Sequence, residues 1–174
     1  QGVLLDEDRG FHPHTTWSRC TFANAVTVLE ECAPHARMTR VGVLRSHAVR
    51  HGDGPLPSES TAPRSVITDH NRSNDWQGNV RYGWFDAVLA RHALEIVGGG
   101  DQLAITHMDL VGRLEQSEVC VGYTGPDLEG TLDRLPVPEV TSLEVQEQMG
   151  RLLRRVRPVL ETETSEEGFL ARVE

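Results

Sequence analysis

The sequence predicts an α/β fold, part of a mixed and largely parallel sheet with flanking helices. Three observations carry that prediction. Residues 84–97 place Trp84, Val88, Leu89, Leu94 and Val97 near one helical face, Gly98-Gly99-Gly100 stops the helix, and the apolar strand 103–106 follows. A helix feeding directly into a strand is the repeating unit of this class. Residues 119–123 form a second short strand, and residues 3–5 a third that runs through a polar loop into a helix.

Taken in chain order, the strand at 3–5 leads into the acidic pair Asp6 and Asp8, a Gly10 turn, and a hydroxyl-rich run of Thr15, Thr16, Ser18 and Thr21. Hydroxyls and free backbone N–H groups ahead of a helix suit phosphate oxygens, and residues 21–29 are expected to be that helix. Residues 38–49 alternate weakly as a β segment. Residues 52–64 are a Gly/Pro-rich turn and irregular loop. Residues 65–82 carry His, Asn, Arg, Ser, Asp and Gln with little periodicity, which reads as a loop that binds things. Helix 84–97 and strands 103–106 and 119–123 come next, then turns at Gly125-Pro126 and around Pro136 and Pro138. An amphipathic helix over 142–156 shows its stripe through Leu143, Met149, Leu152, Leu153 and Val156. Ser165 is placed to cap a last helix over 166–174.

A chain of 174 residues with 38% hydrophobic residues and 16 glycines suffices for one domain with a real core. The net charge of −9 excludes generic nucleic-acid binding, which depends on a basic surface, so anionic ligands must be held by local arginines. No run approaches the ~18 apolar residues of a membrane span. Cys20, Cys32 and Cys120 have no metal spacing and leave an odd thiol, which favours a reduced, cytoplasmic setting.

Several polar groups invite chemistry. Asp6 and Asp8 have the form of an acid/base or metal pair, but neighbouring carboxylates after a strand are more often solvated or turn-forming, and they are read that way. His12, His14, His47, His51 and His70 lack ligand spacing, so scattered hydrogen-bonding histidines are favoured over a zinc site. Thr106-His107-Met108-Asp109 lies at the carboxyl end of a strand, the edge where α/β sheets bind ligands; the plainer reading is a strand followed by a capping Asp.

Residues 1–16 match the pattern QG-x-LLD-x-x-x-G-x-x-P-x-x-T in residue and register, and this stretch resembles the adenylosuccinate synthetase family. Three later segments agree in order: Arg50-His51-Gly52-Asp53-Gly54-Pro55-Leu56-Pro57-Ser58-Glu59 is similar to the family's RVG-x-GP-x-P-T-E turn, Gly83-Trp84-Phe85-Asp86 to its GW-[LF]-D helix start, and residues 103–109 to its strand ending in TKLD. The four matches span most of the chain. The tight spacing is more like the short archaeal-type branch.

The resemblance implies a P-loop-NTPase-like synthetase fold, here without its phosphate loop, and the carboxyl-side portion of a larger catalytic domain. It implies a ligase of purine biosynthesis in which GTP phosphorylates the 6-oxygen of IMP and the amine of L-aspartate displaces that phosphate, with Mg²⁺ as cofactor, in a cytoplasmic homodimer. Gln1 and Thr16 align with residues that hold the purine monophosphate, although Trp17 replaces a small hydroxyl residue. His51 and Gly52 stand where the family's backbone approaches the ribose. Where long-form enzymes carry TTGRRRR this chain has Gln77-Gly78-Asn79-Val80-Arg81, so Arg81 and Arg72 are the candidates for the aspartate carboxylate and ribose. Asp109 is the family's guanine-reading carboxylate, and His107 replaces its Lys. The phosphate loop, the general base, the acid and the Mg²⁺ ligands are all expected outside these residues, so this segment alone is expected to have no catalytic residue and no synthetase activity. Two alternatives stay open: a sister ligase coupling aspartate to a 2-amino purine (deoxy)nucleotide with ATP, and a non-catalytic nucleotide-binding module.

Overall fold

The structure is a computed structural model that describes residues 2–67, 75–76, 78–139 and 142–173. Six strands are present among these: β1 (Val41–Arg45), β2 (His47–His51), β3 (Val80–Asp86), β4 (Gln102–Thr106), β5 (Ser117–Thr124) and β6 (Arg157–Glu163). They form a four-stranded sheet in the order β2-β3-β5-β6 and a separate β1-β4 pair. The β1–β4 and β3–β5 pairings are parallel, while β2–β3 and β5–β6 are antiparallel. With the helices α1 (Ala23–Cys32), α2 (Ala62–Val66), α3 (Ala87–Ile96), α4 (Met108–Val111), α5 (Leu143–Leu153) and α6 (Glu166–Val173), this is the mixed α/β architecture that the helix-to-strand unit predicted.

Two expected elements change type. Residues 3–5 are a 3-10 turn rather than a strand, closed by Leu5 N–H to the Gly2 carbonyl at 2.8 Å and Asp6 N–H to that of Val3 at 3.1 Å. Three apolar residues are too few to hold a ladder against a chain that must fold back on Asp6. Trp84 and Phe85 belong to β3, and the helix begins only at Ala87, because Asp86 takes the N-cap and accepts from Leu89 N–H at 3.0 Å. The whole run from Tyr82 to Asp86 is buried. Such a strand is apolar on both faces, and over five residues that pattern cannot be told from a helical one. Gly83 sits here because a Cβ would lie 2.7 Å from the Ser58 carbonyl oxygen, where residues 58–60 exchange hydrogen bonds with Tyr82 and Trp84.

The other departures are additions or changes of boundary, α5 ending at Leu153 so that Val156 of the expected stripe lies beyond it. The β segment at 38–49 divides at Ser46, whose N–H bonds Thr106 and whose hydroxyl bonds the His107 carbonyl, so β1 and β2 enter different sheets. Pro63 opens the short helix α2 inside the expected loop, and β6 pairs along β5. Ser142 and Ser165 cap α5 and α6 by accepting from Val145 and Gly168 N–H at 3.3 and 3.0 Å.

Two apolar clusters flank the four-stranded sheet. Phe11, Val88, Cys120, Tyr123, Leu135 and Leu153 form one, which ties the first loop, α3 and α5 together. Phe85, Ala87, Val111, Val119 and Phe169 form the other, where α6 drives Phe169 edge-on against Phe85 with ring centroids 5.4 Å apart. Cys20, Cys32 and Cys120 are unpaired. No helix among the described residues is long and apolar enough to cross a membrane.

Candidate functional site

The hydroxyl-rich loop is built on Asp6. Its side chain is fully buried, accepting from Ser18 Oγ at 2.7 Å on one oxygen and from Cys20 N–H at 2.6 Å on the other. Asp6 is therefore neither solvated nor paired with Asp8, whose partners are Arg9 and Arg19. Of the expected solvated or turn-forming roles, Asp6 takes the second, its carbonyl accepting from Arg9 and Gly10 N–H at 3.2 and 2.7 Å, while its carboxylate is buried inside the loop and Asp8 stays on the rim. Thr16 is held by its backbone, N–H to the Leu5 carbonyl at 2.7 Å, with its residue exposed beside the 91% exposed Trp17.

The glycine turn after β2 is pinned by two arginines that face each other across the β2–β3 ladder, Arg50 opposite Arg81. Like charges directly opposite oppose pairing, and each guanidinium is compensated separately. Arg81 grips Glu59 through Nε and Nη2, and its Nη1 donates to the carbonyls of Gly52 at 3.2 Å and Gly54 at 2.9 Å. The hydrogen bond to Glu59 raises its pKa and lowers that of Glu59. Arg50 is buried and donates to two carbonyls, Asp53 at 2.9 Å and His14 at 2.8 Å. Burial, then the neighbouring Arg81 and Arg154, lower its pKa to about 10, which leaves it charged at neutral pH. Gly54 is required at φ +117° because any Cβ there would run into the Arg50 guanidinium. Arg154, at the end of α5, reaches His14 Nε2 at 2.8 Å and Asp53 at 3.5 Å.

Thus the Thr16 loop, the His51-Gly52 turn and Arg81 form one continuous surface. Arg81→Ala is expected to lower the unfolding free energy by about 1–2 kcal/mol, since it frees two carbonyls and one carboxylate at a half-buried site. Urea denaturation reads this; an unchanged midpoint would mean the turn holds without it.

The second pair lies elsewhere. His107 adopts the left-handed conformation at φ 61° between β4 and α4, its Nδ1 3.1 Å from Thr106 Oγ1 and its ring edge-on to His47 at 5.4 Å. Asp109 stands in the first turn of α4, largely exposed, with an ion pair to Arg113 at 2.8 Å. His47 and His51 are the two ends of β2, so the two groups of candidates are separated by roughly 13 Å of strand. Gln1 and Arg72 lie outside the described residues, as do most of residues 68–77. Among the described residues no group of three or more His, Cys, Asp or Glu side chains is placed to hold a metal ion.

Sequence reasoning missed Asp6, Arg50 and Arg154 as organisers. For Arg50 the sequence held a signal, an arginine at the end of a β run leading into the Gly52 and Gly54 turn. For Arg154 there was none, because its partners are about 100 and 140 residues away.

Residues 1–154 match the family model for adenylosuccinate synthetase. The adenylosuccinate synthetase of Nitrosomonas eutropha is 34% identical over 139 residues, which are 78% of this chain and 32% of that protein. The one from Synechococcus is 35% identical over 129 residues, 71% of this chain and 28% of that protein. The chain thus spans about a third of the length of the curated relatives it matches. The solved structure of fully ligated adenylosuccinate synthetase from Plasmodium falciparum superposes with a TM-score of 0.66 at 20% identity, covering 94% of this chain and 37% of that one, a likeness of fold. Four ordered motifs, the P-loop-NTPase-like α/β architecture and a family match over most of the sequence agree: the chain belongs to the adenylosuccinate synthetase family.

Proposed function

We propose that this chain is a single domain that forms the carboxyl-side, substrate-gathering portion of a ligase joining L-aspartate to IMP with GTP. The observation that carries the reading is the joining of the Thr16 loop to the His51-Gly52 turn and Arg81 through the hydrogen bonds of Arg50 and Arg81. In this reading Gln1 and Thr16 hold the IMP phosphate, and the backbone at His51 and Gly52 meets the ribose. Arg81 and Arg72 take the aspartate carboxylates, which at Arg81 requires the substrate to displace Glu59 from the guanidinium. Asp109 reads guanine with two acceptor oxygens, after exchanging Arg113, and His107 lies against the base.

Phosphorylation converts the purine 6-oxygen into a group that can depart, so the contribution of these residues is to bring nucleotide and amine into register. Mg²⁺ would neutralise the transferring phosphates, and the donor set for it is expected from residues outside this sequence. The cytoplasmic homodimer comes with the same reading.

The segment alone should produce no adenylosuccinate from IMP, aspartate, GTP and Mg²⁺, while IMP should perturb the amide resonances of Thr16 and Gly52. Turnover by the 174 residues, or an IMP titration that leaves those amides unmoved in a folded sample, overturns this assignment. Donor choice is a separate test. In an active assembly containing this chain, GTP should be preferred to ATP, and Asp109→Asn should erode the preference about tenfold or more. Equal use of both donors before the substitution would favour the sister ligase acting on a 2-amino purine nucleotide, a reading to which His107, in place of the family's Lys, already lends weight.

A further inference from the structure

Two arginines bridge the same two residues, His14 on the Thr16 loop and Asp53 in the glycine turn, and they do so with different chemistry. Arg50 donates to both backbone carbonyls, at 2.8 and 2.9 Å. Those acceptors do not titrate, and Arg50, with a pKa of about 10, keeps its charge at neutral pH and below. Arg154, at the carboxyl end of α5, bonds the side chains instead: its Nη2 lies 2.8 Å from His14 Nε2 and 3.5 Å from an Asp53 carboxylate oxygen. A guanidinium can only donate, so His14 Nε2 must be the acceptor. The ring is therefore neutral, with its hydrogen on Nδ1. Protonation would replace this hydrogen bond by two cations at contact distance.

Among the described residues, the charged and titratable groups around this half-buried ring are Arg154 from α5, Asp53 from the turn, Arg50 from β2 and His12 from its own loop. Burial first, then Arg154, hold its pKa below the ordinary 6.5, with Arg50 and His12 adding to that and Asp53 opposing it. A base whose pKa is lowered by folding contributes fully above its ordinary value and loses that contribution as pH falls through the lowered one. The Arg154 bridge thus belongs to neutral pH, whereas the Arg50 bridge persists in acid.

We infer that Arg154 is a positioning residue that holds the Thr16 loop against the glycine turn only while His14 is neutral, which makes this loop, and nucleotide binding with it, sensitive to acid. The link to nucleotide rests on the function proposed above. In the intact 174-residue chain at pH 7.5, long-range nitrogen–proton NMR correlations should show His14 neutral with its hydrogen on Nδ1. Arg154→Met should shift the ring toward the other tautomer and raise its titration midpoint, and Arg154→Lys, which keeps a cationic donor, should restore part of both. A mere packing role for Arg154 would move neither. His14→Gln offers Arg154 an amide oxygen that does not titrate. The IMP dissociation constant of the wild type divided by that of His14→Gln should therefore rise about threefold or more between pH 7.5 and pH 5, a ratio from which titration of the IMP phosphate cancels.

A hydrogen on Nε2, a midpoint indifferent to Arg154→Met, or a ratio that stays flat with pH overturns the inference and leaves the proposed function standing. If IMP binds at neither pH, the proposed function falls and the loop decides the inference without ligand. Exchange of the Thr16 and Ser18 amides should then quicken relative to His14→Gln as pH falls to 5, and equal rates overturn it.

Discussion

Asp6→Ala is expected to lower the unfolding free energy by about 3 kcal/mol and the melting temperature by roughly 6–12 °C. The carboxylate is fully buried and receives two donors, Ser18 Oγ and Cys20 N–H, from residues 12 and 14 positions further on. Each bond to a charged acceptor contributes about 1.5–3 kcal/mol, and truncation leaves both donors without an acceptor in a site that water only partly reaches. Asp6→Asn separates this account from simple loss of volume. The amide keeps one acceptor but turns its NH₂ toward either the serine hydroxyl or the Cys20 N–H, so it should be nearly as damaging as alanine. An asparagine variant with wild-type stability would refute the two-acceptor role. Because Thr16 lies between Asp6 and its partners and pairs with it as a parallel bridge, the proposed function predicts that the same variants weaken IMP binding more than GTP binding.

The reach of the sequence can be judged from such residues. Helix termini were legible where one side chain decides them: Ser165 caps as expected, the helix expected from residue 142 starts there with Ser142 as its cap, and strands 103–106 and 119–123 fall within one or two residues of β4 and β5. Position along the chain was less informative where burial decides. Trp84 and Phe85 carry apolar surface that suits either a helix or a strand, and only the packing of residues 58–60 against Gly83 selects the strand. Strand β6 was hidden because Arg157–Glu163 mixes charge with short apolar residues, and its pairing to β5 is a tertiary fact. At the candidate site the motif register singled out Thr16, Gly52 and Arg81, yet could not show that Arg81 already holds Glu59 and two carbonyls. Nor could it show that Arg50 bridges loop and turn, since such cooperation arises between segments about 36 residues apart.

Asp86 should make stability depend on pH in the direction opposite to that of the paired surface carboxylates. Burial raises its pKa from the ordinary 3.8 to about 6, against the counter-effect of hydrogen bonds from Leu89 N–H at 3.0 Å and the Tyr123 hydroxyl at 2.7 Å. The folded state then binds more protons than the unfolded one between about pH 4 and 6. Stability from this group is therefore greatest below pH 4, falls as pH rises through that window, and levels off above pH 6, a loss of about 3 kcal/mol at ~1.4 kcal/mol per pH unit. Glu59, held low by Arg81, acts the other way and loses its contribution as pH falls. The telling quantity is consequently the difference between wild type and Asp86→Asn, which removes only the first effect. That difference in urea midpoint should change between pH 4.5 and 7 in favour of the asparagine variant at the higher pH. Tyr123→Phe supplies the complement: without the hydroxyl the charged carboxylate loses a donor, so the variant should be destabilised by about 1.5–3 kcal/mol at pH 7.5 and by much less at pH 4.5, where Asp86 is already protonated. Parallel pH profiles for all three proteins would mean that Asp86 does not titrate in this window, and that its cap to α3 and its bond to Tyr123 hold the charge more firmly than burial opposes it.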